Sequence, residues 1–236
     1  MTAVTAHQRA HYRVADALCT SVTDVLLPAT QSWFKHPPLL QQLRVRVGRG
    51  RATYCQQQRD RYTITFGVRM VAEKSQPHLA AQWLTSHEMQ RRGYCVGRPV
   101  LGELFAHTAC HEFAHLVQQV NGWWRRGSVH NGVFYEVLDR LHAEGLAGAV
   151  LSHLTPHWQD TTLDMTVRIS KVKRHRSAPP DHTFRVGDRV GFSASGAREV
   201  VGRIRRINRV TATVVPEDRR YRVSYYRVPF GMLKVK

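Results

Sequence analysis

Apolar residues recur along this chain with two different periods, and the change from one to the other divides it. Over Leu101–Val120 (LGELFAHTACHEFAHLVQQV), Phe105, Ala109, Phe113, Leu116, Val117 and Val120 return every three to four positions and share one broad helical face. Asn121-Gly122 follows as a stop, because glycine enters the left-handed conformation that ends a helix at no steric cost. A second amphipathic helix is predicted downstream, with Val133, Phe134, Val137, Leu138 and Leu141 inward and Gly145 ending it. Residues 13–27 also suit an amphipathic helix. LRVRVG (43–48) and RYTITFG (61–67) suit strands, and RATYC (51–55) between them is a third candidate. The polar stretch 74–97 reads as a loop or insertion and is assigned no role.

From about Phe184 the pattern becomes short β-like runs separated by turns: DRVGF, REVVGRIRRIN, VTATVVP, RYRVSYYRV and GMLKV. Five such strands in about 50 residues suit a small closed barrel of the Tudor or KOW kind. Before them, Pro179-Pro180 within the basic run SKVKRHRSAPPDH marks an exposed linker. The expected organisation is α+β, with one domain over 1–167, a basic linker over 168–182 and a small β-barrel over 183–236.

Composition changes this picture in three ways. With 236 residues and 42% hydrophobic content, the chain can bury one moderate core plus a small second one. No apolar run reaches the roughly 18 residues of a membrane helix, and the first residues lack a signal-peptide core, so a soluble cytoplasmic chain is expected, nucleoid-associated if bacterial. Cys19, Cys55, Cys95 and Cys110 form no CxxC pair, which points away from a zinc ribbon or a disulfide framework.

Charge is uneven. The net charge is +18, and residues 1–167 hold 17 basic and 12 acidic groups whereas residues 168–236 hold 18 and 5. The positive field is therefore expected on the linker and barrel, where Arg203, Arg205, Arg206, Arg209, Arg219, Arg220 and Arg222 can fork onto phosphates and Tyr221, Tyr225 and Tyr226 can stack on bases. DNA, expected to be single-stranded, or RNA is the partner this predicts. The plainer alternative is a solvated basic surface with the tyrosines in the barrel core.

The chemistry lies in HEFAH, residues 111–115. On a helix His111 and His115 fall about 40° apart on one face, so both imidazoles can converge on one metal ion, with Glu112 at the edge of that face to take a proton from water. With 14 histidines and 8 glutamates present, chance alone yields such a string about 3% of the time, so context must decide. The context favours ligands: His107, His111 and His115 form a stripe apart from the apolar face, whereas merely packed histidines would be scattered through it. His107 is read as a supporting or solvated group. Catalytic zinc takes three protein ligands, and the third candidates are His130 and Glu136. The longer string HExxHxxGxxH is absent, because Gln118 and Asn121 occupy its last two fixed positions, and this excludes a metzincin.

These residues resemble the SprT-like zinc metalloproteases, whose core is HExxH followed, after a short loop, by H-G-x-x-F opening the next helix. Here His130, Asn131, Gly132, Val133 and Phe134 stand in that place, and the resemblance, covering roughly residues 10–150, is strongest over 107–144. It implies a zincin-like core with a small sheet beside the metal-site helices, Zn2+ held by His111, His115 and His130, and Glu112 as general base. Asn131 replaces the usual glycine and is expected to tolerate a left-handed turn. The runs VGDRVGF, VGRIRRINRVTATVV and YRVSYYRVPFGML resemble the barrel that succeeds the catalytic core in some bacterial relatives.

The function this implies is a zinc-dependent endopeptidase recruited to nucleic acid, cleaving DNA-associated proteins, crosslinked ones among them, in a protective or repair role. Zinc would acidify water toward a pKa of about 7, and Glu112 would pass its proton to the leaving amine. Tyr135 and His142 are the nearest candidates for stabilising the oxyanion, although such residues on an amphipathic helix are more often structural. Two rival readings are a catalytically inactive nucleic-acid-binding protein and a purely structural metal, which would normally have four protein ligands.

Overall fold

The computed structural model describes residues 6–35, 42–124, 128–159, 161–170, 184–193, 199–208, 211–218 and 224–236. The expected linker from residue 171 onward, Arg209, Arg219, Arg220, Arg222 and Tyr221 lie outside the described residues. The class is mixed α+β, and the chain divides into two units, Met1–Val172 and Lys173–Lys236.

The first unit opens with helix α1 (Ala6–Ser21), which buries Val14, Ala15 and Leu18 and runs through a π-helical turn (Val22–Leu26) into the short α2 (Leu27–Ala29). Strands β1 (Leu43–Gly48), β2 (Tyr54–Gln58) and β3 (Arg61–Gly67) form a sheet in the order β1-β3-β2, with β1 parallel and β2 antiparallel to β3. The first and third keep the bounds expected of them; the middle one sits three residues later than RATYC. The cause is the hairpin: Gln58 pairs with Arg61 across a two-residue loop in which Arg59 takes φ 53°, so β2 must run up to that turn. At the far end of β3, a side chain at Gly67 would stand 2.3 Å from the Gly50 carbonyl, so only glycine lets the 50–52 loop close over it.

Helices α3 (Val68–Lys74), α4 (Pro77–Ala80) and α5 (Leu84–Arg92) occupy most of the stretch expected to be a loop, and that expectation is corrected. The buried residues of α5 are Thr85, Ser86, Glu88 and Met89, so its inward face is polar and carries no apolar period. Helix α6 (Leu101–Val120) has the predicted bounds and is central, with 16 of its 20 residues buried. Glu103 caps its start by accepting from the Val100 amide at 2.9 Å, and Gly122 follows its end at φ 71°. Helix α7 (Gly132–Ala143) stops before Gly145 at φ 75°.

Helix α8 (Leu146–Gln159) packs on α6 and α1 and was not foreseen, because only Val150 and Leu154 along it are fully buried and it contains a proline, Pro156. Arg168–Ser170, expected to start the linker, instead pack on the first unit: Arg168 bridges to Val100, and the buried Ile169 donates to the Pro99 carbonyl at 2.9 Å.

The second unit is a five-stranded antiparallel sheet, β4 (Arg189–Ser193), β5 (Glu199–Ile207), β6 (Thr211–Pro216), β7 (Tyr226–Pro229) and β8 (Lys234–Val235), in the order β7-β6-β5-β4-β8. Val190, Phe192, Val200, Ile204, Ala212, Val214 and Val228 form its core. Among the described residues no helix is long and apolar enough to cross a membrane.

Candidate metal centre

The helical period of α6 stacks His107, His111 and His115 along one side. His130 reaches the same place from the turn that opens α7. Asn131 holds that turn: its Oδ1 accepts from the Phe134 amide at 3.0 Å and from the Gln118 side chain of α6 at 3.0 Å. The backbone at Asn131 is extended (φ −82°, ψ −179°), not left-handed as expected. Asparagine serves here as a helix N-cap, a position at which its side chain is useful and glycine's freedom is not needed.

The outcome is that His130 Nε2 lies 3.2 Å from His115 Nε2 and 3.3 Å from His111 Nε2. These three histidines form a group that could hold a metal ion. Glu136, the rival third ligand, is elsewhere: it lines a separate cavity with Trp33, Trp123 and Arg140. Burial and the neighbouring imidazoles resist protonation of two of them, pushing His115 down to about 3 and lowering His130 as well. Neutral rings with lone pairs available are what a cation requires.

Glu88 of α5 is the site residue the sequence reading missed. It is fully buried, and its Oε2 lies 2.7 Å from His111 Nδ1 and 2.9 Å from His107 Nε2. A carboxylate accepting from Nδ1–H fixes the His111 tautomer and leaves the Nε2 lone pair facing His115 and His130. The chain continues outward, because His107 Nδ1 lies 2.9 Å from His142 Nε2, and the His142 ring stacks on Tyr94 at 3.8 Å between centroids. Burial pushes both His107 and His142 down to about 4, so this chain is held together by neutral imidazoles, and two ring N–H groups hold Glu88 well below the usual carboxylate range despite its burial. Glu88, His107 and His111 also meet the spacing for a metal ion. Their contacts are hydrogen-bond lengths in a sealed interior, so we read this trio as the support of the first.

Glu112 is buried beside His111, and its Oε2 has no hydrogen-bond partner. Burial raises its pKa, offset in part by His111, Lys74 and the nearby Cys55 amide of β2. Lys74, at the end of α3, is an equally unusual group: it is buried, donates to Thr85 at 3.0 Å and Thr108 at 2.6 Å, and lies 4.9 Å from the Trp83 ring centroid. Desolvation pulls it down to about 7 against the attraction of Glu112 and Glu88. Lys74, Glu112 and all three imidazoles open into one cleft of about 340 Å³, walled by Tyr54 and Cys55 on one side and by Trp83 and Trp124 on others. Tyr135 and His142 do not line it. Tyr135 accepts from Arg91 at 3.3 Å and His142 belongs to the Glu88 chain.

In the second unit, Arg203, Arg205 and Arg206 are all exposed on β5. The strand alternates Val200, Gly202 and Ile204 inward, and a bulge between Ile204 and Arg206 then turns two consecutive arginines to solvent. Arg203 is paired with Glu217 at 3.3 Å; Arg205 and Arg206 have no side-chain partner among the described residues. Tyr225 is half exposed, whereas Tyr226 packs on Phe192 at the core.

Comparison with family models, with curated proteins and with solved structures finds no match to this chain.

Proposed function

We propose that the protein is a zinc-dependent endopeptidase that works on nucleic acid, with the SprT-like resemblance as the nearest frame for its first unit. The observation that carries this reading is the spacing of the imidazoles. Tetrahedral zinc with Zn–N of 2.0–2.1 Å sets neighbouring ligand nitrogens about 3.3 Å apart, against the 3.2 and 3.3 Å seen here. Three protein ligands beside an open cleft, with no fourth among the described residues of that group, favour a catalytic over a structural metal.

The donor set fits zinc, which when bound would supply a Lewis acid that acidifies water and polarises a carbonyl. The rest falls to the chain. Glu112 presents a buried, unpartnered carboxylate oxygen whose raised pKa brings it closer to the working pH of a general base, and it can return the proton to the leaving amine. Glu88 orients His111. Lys74, when protonated, places a positive charge in the same cleft, where it can balance the charge that develops on a peptide carbonyl, a role for which it is better placed than Tyr135 and His142, which do not line the cleft. β2 is an edge strand of its sheet and its Tyr54 and Cys55 wall the cleft, which suits an extended peptide lying alongside it.

For the second unit, a closed barrel is supported by the single inward face of the sheet and by the 3-10 turn Phe230–Met232, after which β8 pairs back onto β4. Arg205 and Arg206 on its surface suit phosphate contact. The test is to incubate the purified protein with a DNA-bound protein, with and without DNA and a zinc chelator. Chelator-sensitive cleavage that DNA accelerates is expected; cleavage that survives zinc removal rejects the reading. His130→Ala should strip the metal and Glu136→Ala should not.

A further inference from the structure

The charge count places the positive field in the last third of the chain, yet one concavity of the first unit is also cationic. It measures about 890 Å³ and lies between α1 and the corner where β1 gives way to α3. Arg9 and Arg13 reach it from α1, Arg49 from the end of β1 and Arg69 from the first turn of α3, and Tyr12, 54% exposed, stands among them. Among the described residues no aspartate or glutamate lines it. The four guanidinium groups make no hydrogen bond or ion pair with any described residue. Glu73, one turn along α3, is already taken by Arg51 at 2.7 Å.

Four like charges in one depression repel each other, and no acidic group among the lining residues offsets that repulsion. A merely solvated surface would spread them over a convex face or interleave them with acids. Here they ring a concave floor that includes Val47 and Val68, so the site offers cations at its rim and apolar contact at its base. That combination fits a ligand with anionic groups along a backbone and flat faces between them: phosphates on the arginine forks, bases on the floor and on the Tyr12 ring. An acidic peptide would satisfy the arginines but leave the tyrosine and the floor without a partner.

We propose that this cleft is a binding site for single-stranded nucleic acid on the first unit itself, separate from any contact made by the second. The site stands whether or not the metal centre is a peptidase, and it gives the first unit its own hold on the nucleic acid.

The test uses the full-length protein and a fluorescein-labelled oligothymidylate in anisotropy titrations over a range of salt concentrations. Three variants are compared: Arg13→Gln with Arg69→Gln, Arg205→Gln with Arg206→Gln, and Tyr12→Ala. All five positions are on the surface, and circular dichroism and metal content check that each variant is folded. Loss of two phosphate contacts should flatten the salt slope by about 1.4, at 0.7 per contact for a single strand, in the Arg13/Arg69 variant. Tyr12→Ala should weaken binding about fivefold or more at every salt concentration with the slope unchanged. An Arg13/Arg69 variant with wild-type affinity and slope overturns the proposal, and if the Arg205/Arg206 variant is weakened at the same time, the second unit is left as the binder. Displacement of the oligonucleotide by polyglutamate as readily as by unlabelled single strand, with Tyr12→Ala silent, would overturn it in favour of an acidic-protein site.

Discussion

Two carboxylates, one in each unit, make the same number of contacts and do opposite things. Glu88 is fully buried and accepts from His107 and His111; Glu217 keeps 35% of its side chain exposed and pairs with Arg189 at 3.0 Å and Arg203 at 3.3 Å. In the interior an unpaired charge costs several kcal/mol, so each partner of Glu88 is required and its geometry is held. At the surface water screens both members of a pair, which is then worth about 0–1 kcal/mol and leaves the arginines free to exchange partners. The buried carboxylate of the first unit thus fixes a site, whereas that of the second leaves its arginines at the surface, in exchange with water.

The sharpest way to break this contrast is at Glu112. Glu112→Gln keeps the volume and the neighbouring ligands but removes the base, so peptide hydrolysis should fall by about 10²–10⁴-fold while bound zinc, read by elemental analysis, is unchanged. Arg205→Gln with Arg206→Gln should leave hydrolysis of a free peptide as it was. Equal losses in the two variants would mean that the two units do not divide the work.

Glu88 comes next. Glu88→Ala removes the acceptor that orients His111 and leaves the His107 ring N–H buried without a partner, and zinc affinity measured by chelator competition should weaken about 10–100-fold. Undiminished affinity would reduce Glu88 to a packing residue.

Acid should separate the units. In the metal-free protein, His107 and His142 are held at about 4, His115 at about 3, and His130 is also lowered, so the folded first unit binds fewer protons than its unfolded chain below the ordinary histidine value of 6.5. Their stabilisation is complete above 6.5 and is lost as pH falls toward 4, by up to about 1.4 kcal/mol per pH unit for each histidine kept neutral. The described residues of the second unit include no histidine, so its stability should be flatter over this window. All five tryptophans, Trp33, Trp83, Trp123, Trp124 and Trp158, belong to the first unit, and their fluorescence should therefore report its acid unfolding alone. A transition with no pH dependence between 6.5 and 4 would remove the neutral imidazole chain from the account.

The same contrast explains what could be read from the chain without its structure. Helix α6 was legible because Phe105, Phe113 and Leu116 repeat at the helical period, and that period is what sets His111 and His115 on one side. Glu88 was not, because α5 turns Thr85, Ser86 and Glu88 inward, and polar residues buried by partners elsewhere leave no mark in a hydrophobic pattern. Lys74 was hidden for the same reason: its partners Thr85 and Thr108 are 11 and 34 residues away. The capping role of Asn131 depends on Gln118 of the preceding helix, a contact no local rule anticipates. The arginine cleft joins α1 to β1 and α3, and a tally of charge by segment averages it away.

The smallest effect expected is the one that sharpens the comparison most. Glu217→Gln removes the shared partner of Arg189 and Arg203 at the surface of the second unit. Its cost in stability should be below about 1 kcal/mol in thermal or denaturant unfolding of the full chain, because each guanidinium returns to water. The freed pair should also bind phosphate better, raising affinity for a single strand a few-fold at low salt and steepening the salt dependence. If Glu217→Gln instead unfolded the second unit as Glu88→Ala is expected to loosen the metal centre, the exposed pair would be structural after all, and the arginines of β5 would belong to the fold and not to a partner.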